Sequence, residues 1–156
     1  MKKKSRYVPR PIRLDNMSFV KAGITPMTKV SAATDLRIKN HDCLNNIRLG
    51  VASREDIDKV IGVLNMAEAL CLMGKGRDWA TEVAAAQDAM LEVARKGVAR
   101  DMRFVVSGPQ LQALNLAMEV HDAQLDASTV QEVEKALELV YEVIRNKRAR
   151  RILEKA

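Results

Sequence analysis

The chain has 156 residues, 47% of them apolar but only 3% aromatic. This composition implies one domain with a core of Leu, Val, Ile, Ala and Met, the filling of a helix bundle rather than a sheet. Its formal charge of +6 is unevenly placed: residues 1–13 hold six bases and no acid, residues 145–156 six bases and one acid, and residues 14–144 fourteen bases against nineteen acids.

Residues 1–30 read as a basic arm. Val8-Pro9-Arg10-Pro11 favours a polyproline II backbone, and Gly23 and Pro26 punctuate the remainder of the arm. Tyr7, Ile12, Leu14, Met17, Phe19 and Val20 are too apolar for a free tail, so part of the arm is expected to dock on the body. Residues 31–156 form the predicted helical domain. A first helix over about 31–49, capped by Ser31 or Thr28, carries a stripe of Leu36, Cys43, Leu44 and Ile47 and stops at Gly50.

Ser53 with an acidic first turn opens a second helix to about 73, along Ile57, Val60, Ile61, Leu64, Ala67 and Cys71. Gly74-Lys75-Gly76-Arg77 breaks the chain, and Asp78 is the expected cap of a third helix to about 96. Phe104-Val105-Val106 is compatible with a short extended stretch. Ser107-Gly108-Pro109-Gln110 has capping-box spacing with an early Pro and starts a fourth helix to about 126. Ser128-Thr129-Val130-Gln131 repeats that spacing before a fifth helix continuing to about 153, and the short connection predicts that helices four and five form a hairpin. The expected fold is an all-α antiparallel bundle of about five helices.

The fifth helix is apolar on two sides, with Val130, Val133, Leu137, Val140 and Ile144 on one seam and Ala136, Leu139 and Val143 on another. So wide an apolar arc fits either a central bundle helix or a homo-oligomer interface through Leu137, Leu139, Val140 and Val143. The fourth helix carries a polar stripe of Asn115, Glu119, Asp122 and Asp126. A solvated face is the simplest reading. A docking surface for a basic segment and a Mg²⁺ site on Glu119 and Asp122, as in an all-α nucleotide hydrolase, are the alternatives.

Little else suggests chemistry. His41 and Cys43 point to different sides of a helix, His121 reads as a structural histidine, and Cys43 and Cys71 suggest neither a disulfide framework nor a zinc ribbon. The glycine-containing turn at 74–77 lacks P-loop spacing, which leaves a helix–helix turn or a modest phosphate contact through Lys75 and Arg77. No catalytic residue, metal or cofactor is expected. No apolar run nears the roughly 18–20 residues of a membrane span, and a cytoplasmic protein with no membrane partner is expected.

The concentrated bases are the stronger functional signal: Lys2, Lys3, Lys4, Arg6, Arg10 and Arg13 at one end, and Arg145, Lys147, Arg148, Arg150 and Arg151 at the other. Arginine favours bidentate phosphate contact, and charge of this density acts over a Debye length of about 8 Å. With Tyr7 the one aromatic among these two groups of bases, backbone contact fits better than base stacking.

Two stretches, KKKSRYVPRPIRLDNMSFVKAG from Lys2 and RFVVSGPQLQALNLAMEVHDAQLDASTVQEVEKAL from Arg103, resemble a group of small accessory proteins of tailed phages and prophages of proteobacteria. The resemblance spans most of the chain and rests on general likeness, with no catalytic motif. It implies a non-enzymatic viral protein acting in host takeover or anti-defence, in the host cytoplasm, and carries over no site residues. Three hypotheses stand. The chain binds nucleic acid, or an acidic or nucleic-acid-bound protein complex, through its basic ends; or it is an oligomeric sponge that sequesters a phosphorylated small-molecule signal; or it is a Mg²⁺-dependent nucleotide hydrolase.

Overall fold

Local capping signals place the helices. In the computed structural model, which describes residues 23–146, α1 spans Ser31–Leu49 and α2 spans Arg54–Leu72. Helix α3 spans Ala80–Val98, α4 Gly108–Asp126 and α5 Val130–Arg145. Two 3₁₀ turns, Met27–Lys29 and Arg77–Trp79, precede α1 and α3. Among the described residues there is no strand; one isolated bridge joins Pro26 to Thr129. The all-α antiparallel bundle is thus the fold.

Three helices begin with complete capping boxes. Ser53 accepts from the Asp56 amide while Asp56 accepts from the Ser53 amide at 2.8 Å, and Ser107 and Gln110 do the same at the start of α4. At α5 the reciprocal pair is Thr129 and Glu132, one residue later than the Ser128–Gln131 pairing expected from sequence. The two spacings are equivalent on paper. Ser128 is instead buried, and its hydroxyl donates to the Gln124 carbonyl at 2.6 Å. Ser31 is the first residue of α1 rather than its cap, and Asp78 lies inside the 3₁₀ turn with Trp79 at the N-cap of α3. Gly50 ends α1 at φ 71°, in the left-handed region that favours glycine.

Helix α2 is central. It packs against α1, α3, α4 and α5, and α4 also packs against α1 and α3. The main core joins Cys43, Leu44 and Ile47 of α1, Ile57, Val60 and Leu64 of α2, Met90 and Val93 of α3, and Leu114 and Met118 of α4. Leu36, expected in the α1 stripe, is exposed; Asn40 is buried on that helix instead. Phe104 is also buried in this core, not extended in a strand, because Asp101 and Met102 take positive φ and turn the chain back over α3.

The short α4–α5 connection does not produce the expected side-by-side hairpin. Helix α5 lays Ala136 and Val140 on Met66, Ala69 and Leu70 of α2 and on Met73 just past its end. It thereby sits on the bundle as an outer helix with one narrow buried seam.

Candidate functional site

Of the eleven predicted phosphate-binding bases, Lys2, Lys3, Lys4, Arg6, Arg10, Arg13, Lys147, Arg148, Arg150 and Arg151 lie outside the described residues. So does the expected continuation of α5 to about 153. Arg145 is described: it is exposed in the last turn of α5, where a cation also complements the helix dipole. The body between residues 23 and 146 carries fourteen bases and eighteen acids, so the surplus positive charge belongs to the flanking segments.

Several body bases are already engaged. Arg37 Nη2 meets Asp126 Oδ1 at 2.6 Å and donates to the Asp122 carbonyl at 3.2 Å. One helical turn further along α1, His41 Nε2 lies 2.7 Å from Asp122 Oδ2. These two rungs show that the polar stripe on α4 is only partly solvated: Asn115 and Glu119 face solvent, while Asp122 and Asp126 bind α1. Sequence periodicity found the stripe but could not find its partner, because Arg37 and His41 lie more than eighty residues away. Among the described residues no group of three or more His, Cys, Asp or Glu is arranged to hold a metal ion.

The other polar positions do structural work. Lys75 donates to the Ala127 carbonyl at 2.8 Å and pairs with Glu132 at 3.2 Å, while Gly74 and Gly76 take φ of 92° and 71°. The 74–77 segment is therefore a helix–helix turn tied to the start of α5. Buried Gln124, a residue the sequence did not single out, places its amide nitrogen 3.0 Å from the Ala67 carbonyl and 2.9 Å from the Lys75 carbonyl. This side chain clamps α4 to α2 and the turn.

Neither cysteine is poised for nucleophilic chemistry. Burial, reinforced by the Asp56 carboxylate, pushes the Cys43 thiol up to about 11, and burial also raises that of Cys71. His121 is buried, and loss of water pushes its imidazole down to about 4 despite the opposing Asp122 charge. It is neutral in the folded protein near pH 7, in keeping with a structural histidine.

The most distinctive surface is on α5. Only Ala136 is fully buried on this helix and Val140 is half-buried, whereas Leu137 is 41%, Leu139 36% and Val143 40% exposed. Leu139, Val140, Val143 and Ile144 overhang an open groove of about 340 Å³ whose floor includes Ile61 and Leu64 of α2 and whose far wall includes Met90 and Leu91 of α3. Asn65, Glu68 and Gln87 supply its polar groups, and Gln87 donates to both Asn65 and Glu68. Among the described residues, no lysine or arginine lines it. The bundle therefore buries Ala136 from one sequence-predicted seam and half-buries Val140 from the other, and leaves Leu137, Leu139, Val143 and Ile144 exposed among the described residues.

No helix among the described residues is long and apolar enough to cross a membrane. The chain matches no family model, no curated protein and no solved structure.

Proposed function

We propose that this chain is a binding protein that engages nucleic acid, or a complex containing it, through basic ends carried on a mildly acidic helical body. The supporting observation is the segregation of charge. The segments flanking residues 23–146 hold twelve bases against two acids, while bases of the body are drawn into pairs such as Arg37–Asp126, Lys59–Glu55 and Lys75–Glu132. A polyanion would be repelled by the body and attracted to the ends, which favours contact with the nucleic-acid backbone and little reading of sequence. A role in host takeover or anti-defence is the biological setting that the phage resemblance suggests.

The groove beneath α5 offers less to a phosphorylated small molecule. Among the described residues, its charged group is the carboxylate of Glu68 and its walls are mostly aliphatic. A sponge would need lysine or arginine brought in from elsewhere.

Titration of a fluorescent duplex at several salt concentrations tests the proposal. Neutralising about five phosphates gives a slope of log K against log salt near −4.5, at roughly −0.9 per phosphate. Changing Lys2, Lys3, Lys4, Arg148, Arg150 and Arg151 to Ala is expected to weaken binding to all sequences alike and to flatten that slope. Absence of salt-dependent binding in the unaltered protein would sink the reading.

A further inference from the structure

Leu139 and Val143 border the α2–α3–α5 groove on one side, and Leu72, which is 72% exposed, borders it at the C-terminal end of α2. Lys135 and Glu142 stand on the solvent side of Leu139. At 100° per residue they lie about 40° and 60° round α5 from it, in the direction away from buried Ala136. Both are exposed. A helix laid against Leu139 would therefore be flanked by one lysine and one glutamate, seven residues apart.

We propose that the mouth of this groove is closed by a second copy of the chain, in a twofold dimer whose two α5 helices pack antiparallel. Charge complementarity selects the partner and its direction. A twofold axis crossing α5 between Glu138 and Leu139 sets Lys135 of each copy opposite Glu142 of the other, so one pairing occurs twice. A parallel arrangement would set lysine against lysine and glutamate against glutamate.

The same axis gives Leu72 a neighbour. The Lys75–Glu132 ion pair holds the start of α5 at the C-terminal end of α2, so these helices run antiparallel. With Ala136 packed on Ala69 and Leu70, Leu72 is level with about residue 134 of α5. Val143 of the second copy arrives at that level. Two apolar groups that are exposed in one copy, Leu72 and Val143, thus meet across the pair. Of the interface expected from sequence, Leu139 and Val143 take part. Leu137 lies on the opposite flank of α5, and Val140 is half-buried on α2.

The pairing goes beyond the nucleic-acid reading and does not depend on it. If that reading holds, the dimer presents each basic end twice on one body and multiplies the phosphates that one particle can contact.

Sedimentation equilibrium of the full-length protein over a wide concentration range tests the pairing. A reversible monomer–dimer equilibrium is expected. Lys135→Glu and Glu142→Lys should each weaken it about tenfold, because both symmetric contacts become repulsive. An equimolar mixture of these two variants should recover the unaltered affinity to within about threefold, since both contacts in the mixed dimer again join opposite charges. Leu139→Ser/Val143→Ser is expected to leave a monomer. All four positions are exposed, so helical circular dichroism should be unchanged in every variant.

A monomer at every concentration would overturn the proposal. So would a dimer indifferent to both charge changes, or a mixture that associates no better than its components. None of these measurements contains nucleic acid, so the two proposals fail separately: a monomer that binds duplex removes the pairing alone, and a dimer that ignores duplex removes the nucleic-acid reading alone.

Discussion

Gly97 lies in the last turn of α3 with the Phe104 ring folded against it, and a Cβ added there would stand 2.1 Å from Phe104 Cδ1. Helix propensity alone favours Gly97→Ala by about 0.8–1 kcal/mol. The steric effect opposes it and is larger, because the ring must leave a core in which Phe104 is buried, and full removal of a buried phenylalanine costs about 3–5 kcal/mol. Gly97→Ala is therefore expected to destabilise the fold by about 2–4 kcal/mol, seen as a lower urea midpoint with an unchanged slope. Adding Phe104→Ala should cost less than the two single changes together, since the new methyl fills part of the vacated space.

His121 makes a second residue-scale prediction, about pH. Its folded value near 4 lies below the ordinary 6.5, so between these values the unfolded chain holds the extra proton and stability falls as pH falls. Its contribution is fully present above about 6.5 and lost through the window down to about 4. At 1.36 kcal/mol per unit, the loss is on the order of 3 kcal/mol. Asp56 and Glu132, each held below the usual carboxylate range first by its capping-box backbone N–H, act in the same direction but in a lower pH window. Their contributions persist above the ordinary carboxylate value and disappear only at lower pH. Urea midpoints at about pH 7.5 and about pH 4.5 should therefore differ strongly in the unaltered protein and much less in His121→Gln; equal drops in both would reject the assignment.

At the scale of elements, what the sequence reveals depends on how far apart the interacting residues are. Ser53, Ser107 and Gly50 act within one helical turn, and their roles can be read directly from spacing. Thr129 shows the limit even there. Two capping spacings overlap by one residue, and burial of Ser128 under the Gln124 carbonyl selects between them, a tertiary effect with no local mark. Leu36 and Asn40 fail in the same way: the stripe predicts a buried leucine, while the packing of α1 between α2 and α4 exposes it and buries the asparagine. The α4 stripe is legible as a stripe, but its partners Arg37 and His41 are set by an antiparallel register that no short-range pattern encodes. The path of α5 is the largest departure. Loop length predicts a neighbour in sequence, whereas Ala136 allows close approach to Ala69 and Leu70 and draws the helix onto α2. The width of its apolar arc is legible, but which part of that arc the bundle buries is not, because the packing of Ala136 and Val140 on α2 is a tertiary contact.

For the whole molecule, the division between body and ends can be separated experimentally. Among the described residues, the buried members of the three core clusters lie between Cys43 and Ala136. Removing residues 1–6 and 148–156 takes away eight bases and one acid, shifting the formal charge from +6 to −1 while keeping residues 7–20. The trimmed chain is expected to retain its helical circular dichroism and a single cooperative melt within a few degrees of the full-length protein. It should also stop binding a cation exchanger at neutral pH and lose its affinity for duplex. Such an outcome makes fold and charge independent properties of one chain, as expected when an acidic bundle serves chiefly to hold two basic segments in place. Loss of cooperative melting on trimming would instead mean that the charged ends contribute to the core's stability.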